Sequence, residues 1–376
     1  MELKKIKFSE PKNSPFYEKL KLQIDSYFQQ KSCSRKANTA MRLKIIFIAL
    51  LFLGSYSAIL SNSFSLGWLM FFVILFGLSM GLLAFSIGHD ASHNALFKNP
   101  DINYIFSYSF NLVGVNRYIW DIKHNLSHHA FTNIPGYDMD IEQIRIARVV
   151  DHIPMRWYYR FQHIYVPFLY PFTSLYMIFV KDFQMMASKH FGNKTDIVHP
   201  RKEYVILIAS KLFYLIYALV IPLIVIDLPV WQILAGFLIL HLFLGIYTAV
   251  ILFPAHALKG MPFPKPDENG LIHNSWVIHE IQTSTNYSPD SRILNFLSGG
   301  LNTHVIHHIF PGICHIHYYN LNKILREVAK EYNITLHEHS LFTALKDHLG
   351  HLKIMSRQKV PRDPDFVTKN GLSFSK

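Results

Sequence analysis

The stretch His89-Asp90-Ala91-Ser92-His93 closes a long apolar run that starts near Leu66. Two relatives of it follow: His124-Asn125-Leu126-Ser127-His128-His129 and His304-Val305-Ile306-His307-His308. Eight histidines thus fall into three tight groups, all near apolar segments. On a helix, His89 and His93 are four apart, share a face and can reach one metal. His124 and His128 repeat that spacing, and His129 lies about 140° further round, free to turn towards a second metal. His304, His307 and His308 stand at i, i+3 and i+4, once more on one face. Eight imidazoles suit two metals better than one. Imidazole favours zinc, copper, iron or nickel, so the ligand type alone does not choose among them.

Outward from these groups, the chain reads as a membrane body. Half of its 376 residues are hydrophobic and only 16% are charged, against about 25% in soluble domains. Four runs, about 43–61, 66–88, 204–226 and 230–253, approach the roughly 20 residues that a spanning helix needs. The turns Asn62-Ser63-Phe64-Ser65 and Asp227-Leu228-Pro229 carry no Lys or Arg. The N-terminal stretch is lysine-rich (Lys4, Lys5, Lys7, Lys12, Lys19, Lys21, Arg35, Lys36 and Arg42), so it stays in the cytosol and both turns face out. Two out-and-back hairpins then deliver all three histidine groups to one side. Two shorter apolar pieces, about 104–115 and 165–180, read as interfacial or re-entrant; the second is broken by Pro167 and Pro171. The expected architecture is an all-α integral membrane protein. It has four transmembrane helices as two hairpins, interfacial helices, and a cytosolic helical cap carrying the metal site. Its expected parts are a cytosolic arm over 1–42, a membrane domain over 43–319, and cytosolic helices and tail over 320–376.

The net charge of +12 fits an anionic membrane surface, and no nucleic-acid partner is expected. Cys33 and Cys314 are the only cysteines, which leaves no disulfide framework or cysteine-based zinc site. No Glu-x-x-His pair occurs, so the carboxylate di-iron site of ferritin-like bundles is absent. His279-Glu280 is followed by Ile281, Gln282 and Thr283 rather than the second histidine of a zinc protease. No phosphate-binding or dinucleotide-binding glycine pattern is visible, so reducing equivalents come from another protein. Asp90, Asn125, Asn133, Asp138, Asp140 and Asn302 are candidates to fix the imidazole tautomers.

HDASH, HNLSHH and HVIHH, in this order around two hairpins, resemble the three histidine boxes of the membrane fatty acid desaturases. The resemblance runs from about Leu43 to Tyr319. It is closest to the front-end, linoleoyl-CoA (Δ5/Δ6-type) branch, through Gly299-Gly300-Leu301-Asn302, Phe310-Pro311, Cys314 to Tyr318, and WVIHEIQTSTN over 276–286. Two departures stand out. Front-end enzymes usually open the third box with Gln, where this chain has His304. Many carry a fused cytochrome b5 domain with an HPGG motif, which is not written here.

The resemblance implies an O2-dependent desaturase that introduces a cis double bond into an acyl chain carried on CoA or lipid. It implies two non-haem irons on His89, His93, His124, His128, His129, His304, His307 and His308. A ninth ligand is implied just after the fourth span, where His256 stands. His279 is left open. It also implies an external electron donor, ferredoxin or cytochrome b5 with its reductase, and an active site on the cytosolic side. The absence of organelle signals puts a bacterial inner membrane ahead of the endoplasmic reticulum. Two rivals remain: a lipid or carotenoid hydroxylase or ketolase on the same metals, and a non-catalytic membrane metal-binding protein. Transport is disfavoured because the spans hold few ionisable residues, Lys211 and His241 being the exceptions.

Overall fold

A computed structural model describes residues 5–10, 14–142 and 146–357. Of the basic residues named above, Lys4 and Lys12 lie outside them, as do Arg145 and the tail from 358. Among the described residues, five helices are long and apolar enough to cross a membrane: Thr39–Leu60, Leu66–Ser92, Trp157–Met186, Arg201–Val225 and Val230–Ala255. Four of them coincide with the expected spans to within a few residues.

The fifth corrects the reading of 165–180 as a short piece. It runs for 30 residues because its prolines are absorbed rather than terminal. Pro167 sits inside the segment Gln162–Leu169, and Pro171 lies in a 3-10 turn, Tyr170–Phe172. A π turn at Met177–Lys181 then takes up the remaining slack. Proline removes one backbone donor, and such local rewinding restores the ladder beyond it. The piece at 104–115 is two short helices, Pro100–Ser107 and Ser109–Leu112.

The long helices pack through small residues. Gly77 and Gly81 on Leu66–Ser92 lie against Leu240, Phe243 and Tyr247 of Val230–Ala255, a small-x-x-x-small face that lets two backbones approach. Thr39–Leu60 adds an aromatic contact, Phe52 on Phe76 at 4.9 Å. At the far end, Asn62 latches the two turns together. Its amide donates to the Val225 carbonyl at 2.7 Å, and its carbonyl accepts the Asp227 N–H at 2.9 Å. The broken helix Trp157–Met186 is held to Val230–Ala255 by Ser174, which meets His241 Nδ1 at 3.0 Å. The other side of His241 meets Tyr214 at 2.9 Å. A buried ion pair, Lys211 with Asp182, adds a further tie. Large side chains such as Leu50, Phe168, Val205 and Trp231 point outward, as a lipid-facing surface requires.

A second group of helices packs together around its own apolar cluster. Helices Trp276–Thr283, His304–Ile309 and Tyr318–Glu331 share one apolar cluster through Val277, Ile281, Val305, Ile309, Leu321 and Leu325. The N-terminal stretch is part of it: helix Pro15–Gln30 inserts Phe16, Leu20, Ile24 and Phe28 into the same cluster. That spacing is the i, i+4 stripe of a helix with one buried face. Two short parallel ladders add to this part of the chain, Lys7–Phe8 with Leu271–Ile272 and Asn286–Tyr287 with Glu338–His339.

Candidate metal centre

His89 and His93 leave the end of the helix Leu66–Ser92 just after the winding loosens to π over Leu83–Gly88. The second histidine group is itself a π turn, His124–His128, closed by the His129 N–H on the His124 carbonyl at 2.9 Å. π turns are rare and concentrate where a helix must re-aim side chains. The third group is a short α-helix, His304–Ile309, buried throughout.

These elements bring nine imidazoles together in two clusters. His89, His93, His124 and His307 place one nitrogen each within 4.8 Å of the others. His128, His256, His304 and His308 form the second set on the same criterion. His129 stands between them, its Nε2 3.1 Å from His124 Nε2 and 3.0 Å from His307 Nε2, and it also groups with His308. The pairing within boxes differs from the expected one. His124 and His128 go to different clusters, because a π turn carries residues four apart off the common face of an α-helix. His307 likewise parts from His304 and His308, so the helix His304–Ile309 serves both clusters.

The donor set fits metal. Facing Nε2 atoms stand 2.6 Å apart for His256 and His304, and 3.1 Å for both His308 with His304 and His89 with His124. A cation about 2.0–2.1 Å from each nitrogen sets neighbouring donors about 2.9–3.4 Å apart, for right-angled to tetrahedral bonds; the two 3.1 Å pairs match this, and His256 and His304 stand closer than it. Burial holds His93, His124, His129, His304, His307 and His308 well below the usual imidazole range, and His256 at about 3. They are neutral at physiological pH, the state a ligand requires. His128 is the contrast. Burial opposes its charge, but Asp138 at 3.1 Å and the carboxylate of Asp140 outweigh it and raise its pKa.

Of the candidate tautomer-fixing residues, Asp138 holds His128 Nδ1. Asn133 supports both sides, donating its N–H to Asp138 and its amide to the His256 carbonyl, each at 2.9 Å. Asp140 pairs with Lys123 and, at 3.3 Å, with Lys181. The others turn elsewhere. Asp90 holds His315 Nδ1 at 2.8 Å, Asn125 meets Asp121, and Asn302 binds Ser298. His279 stands outside both clusters, its Nε2 on the Thr132 carbonyl at 2.8 Å. Its neighbour Glu280 is the residue that sequence reasoning missed: fully buried, with Oε2 2.7 Å from His308 Nδ1 and 2.8 Å from Thr132 Oγ1. Its signal in the sequence is the His279-Glu280 pair, which resembles the opening of a zinc-protease motif without completing it.

A cavity of about 540 Å³ opens onto the clusters, with His89, His124, His128, His256 and His304 in its wall. The remainder is largely apolar, including Ile141, Val149, Val166, Leu169, Met177, Leu252 and Phe253. Volume and lining suit one flexible apolar chain. Lys123, Asp140, Lys181 and Gln184 form a polar patch in the same wall.

Apolar helices, a buried polyhistidine centre and an apolar cavity beside it define a membrane-bound enzyme class that works on lipid chains. The chain belongs to the fatty acid desaturase family: the family profile described as "Fatty acid desaturase" matches residues 66–340. It is 33% identical over 371 residues to an acyl-lipid (8-3)-desaturase B of Dictyostelium discoideum, covering 95% of this chain and 78% of that protein. It is 31% identical over 351 residues to an acyl-lipid (8-3)-desaturase of Physcomitrium patens, covering 93% and 73%. It is 30% identical over 347 residues to an sn-1 linoleoyl-lipid 6-desaturase of Arthrospira platensis, covering 92% and 94%. The chain is therefore a fatty acid desaturase, an oxidoreductase, and its likeness to the front-end branch holds.

Proposed function

We propose that the protein introduces a cis double bond near the carboxyl end of a lipid-bound acyl chain, using O2 and two non-haem irons. The observation that carries this reading is the pair of four-histidine clusters, with His129 between them, in the wall of an apolar cavity. His89, His93, His124 and His307 would hold one iron, and His128, His256, His304 and His308 the other. Bound iron would supply the O2 activation that hydrogen abstraction from an unactivated methylene requires. In the net reaction two C–H bonds break and one C=C bond forms. O2 takes those two hydrogens, together with two electrons from a ferredoxin or from cytochrome b5 with its reductase and two protons from solvent, and leaves as two waters.

The chain's own residues do the positioning. Val166, Leu169, Met177 and Phe253 exclude water and hold the acyl chain extended past the imidazoles. Lys123 and Lys181 share the single carboxylate of Asp140, leaving one positive charge in the wall for the ester end of the substrate. Asp140 also stands 3.8 Å from His128 Nδ1, so that end is held only a few methylenes from the clusters. A double bond counted from the carboxyl end follows from this placement.

The membrane reading is four crossings with the site on the cytosolic face, in a bacterial inner membrane ahead of the endoplasmic reticulum. Parity supports it. His129 meets His307 and His308 although three long helices lie between them in sequence, so an even number of those three crosses. The Asn62 latch pairs the turn before Leu66–Ser92 with the turn after Arg201–Val225, which supports Arg201–Val225 and Val230–Ala255 as the crossing pair. Trp157–Met186 then lies along the cytosolic leaflet, with Trp157, Phe161 and Phe168 exposed towards lipid.

The test is the fatty-acid profile of a host expressing the protein beside one expressing His128→Ala. A new unsaturated species confined to the wild type is expected, and its double-bond position reports the counting rule. A hydroxylated product would replace this reading with a hydroxylase.

A further inference from the structure

The two clusters differ in how their rings are held. In the set His128, His256, His304 and His308, every Nδ1 meets an acceptor. Asp138 stands 3.1 Å away, the Thr283 carbonyl 2.9 Å, the Leu301 carbonyl 3.1 Å and Glu280 2.7 Å, respectively. Each bond fixes the N–H on Nδ1 and leaves the Nε2 lone pair aimed at its neighbours. In the other set, Nδ1 of His89 and Nδ1 of His307 are buried with no hydrogen-bond partner among the described residues. The carboxylate nearest to His89 in sequence, Asp90, is taken by His315, whose other ring nitrogen meets Lys44 at 2.9 Å. No such anchor reaches His129 either, whose Nδ1 is equally bare.

We propose that the two cation sites are unequal: His128, His256, His304 and His308 form a tight site that fills first, and His89, His93, His124 and His307 form a weaker, exchangeable one. This rests on the metal-centre reading above. The physical grounds are preorganisation and charge. A ring locked by its Nδ1–H loses little freedom on ligation, and a carboxylate behind it makes the imidazole a stronger donor. Asp138 and Glu280 also bond directly to ligands of one cation, whereas Asp90 and Asp140, the carboxylates nearest the other, pair with His315 and with Lys123 and Lys181. Loss of such a partner weakens metal binding by about 10–100-fold, so dissociation constants at least about 10-fold apart are expected. Glu280 is on this argument a positioning residue for His308.

The probe is Co2+ added to the full chain in detergent after chelator stripping. Metal per chain is counted by mass spectrometry and ligation is followed by visible absorption. Two phases of one equivalent each are expected, and a mild chelator wash of the loaded wild type should leave one Co2+ per chain. His93→Ala should remove the weak phase only. Glu280→Gln, which keeps the side-chain shape, should weaken the tight phase about 10–100-fold while sparing the other. Two equivalents bound in one phase would overturn the proposal, as would His93→Ala removing the tight phase. No Co2+ bound at all would refute the metal-centre reading itself.

Discussion

Replacing Gly245 by alanine should disable the enzyme from a position that touches neither the histidines nor the cavity. A Cβ there would lie 1.9 Å from the Pro171 carbonyl oxygen, 2.4 Å from its carbon and 2.7 Å from the Tyr170 oxygen. All three are backbone atoms, so no side chain can swing aside. Because Cβ contacts under 3.0 Å are essentially never seen, the helix Trp157–Met186 must retreat by about an ångström. Overpacking of this kind costs about 1–3 kcal/mol. Pulling Ser174 away from His241 adds about 0.5–1.5 kcal/mol for the lost hydrogen bond. The catalytic effect should be larger than the structural one. Leu169, Tyr170, Phe172 and Thr173 line the cavity from that segment, and a 1 Å misplacement can cost about 100-fold in rate. The assay compares product yield in cells with the thermal midpoint of purified protein, beside Gly236→Ala. Gly236 is on the same helix with nothing within 4 Å of an added Cβ. A Gly245→Ala protein with wild-type yield and midpoint would refute the argument.

Lys181→Met removes one of the two ammonium groups on Asp140 and should raise KM for the lipid substrate by about 10-fold, the size of a charge-assisted contact of about 1.5 kcal/mol. Unchanged KM would show that the polar patch does not meet the substrate. Asp182→Asn should lower expression sharply, because breaking one side of the buried pair with Lys211 costs about 3–5 kcal/mol. A combined Asp182→Leu, Lys211→Met protein should recover part of it, read as folded yield in detergent. Acid should destabilise the metal-stripped protein. Burial holds His256 at about 3 and His304, His307 and His308 well below their usual range, against about 6.5 when unfolded. Below pH 6.5 the unfolded chain takes up protons that the folded one refuses, so stability is complete above 6.5 and drains as pH falls towards 3. His128 pulls the other way but is outnumbered. Thermal midpoints that stay flat from pH 7 to 5 would contradict this.

Much of the site was legible because its spacing is chemical. Three histidine groups beside apolar runs carry the expectation that their imidazoles meet whatever the fold, and the structure brings them together. Which imidazole serves which cluster was not legible. That depends on π turns at Leu83–Gly88 and His124–His128, which periodicity at 3.6 residues per turn does not reveal. Helix Trp157–Met186 was read too short because two prolines look like ends until a 3-10 turn accommodates them. Glu280 was hidden for another reason. It lies 24 residues before His304 in sequence, and only the shared apolar cluster brings helices Trp276–Thr283 and His304–Ile309 into contact. The N-terminal helix was missed similarly: its stripe of Phe16, Leu20, Ile24 and Phe28 gains meaning only once a partner for it exists.

The Asn62 latch has a consequence for how the molecule is made. The first two histidine groups leave the ribosome by residue 129, while His256 follows 127 residues later. At about 5–20 residues per second that is a delay of roughly 6–25 s, during which the centre is only half built. The partners of Asn62, Val225 and Asp227, are made earlier than His256, so its two bonds can align the helices that flank them before the third histidine group exists. Translation thus finds its last histidines a prepared frame, and the centre is completed by the segment synthesised after the frame is locked.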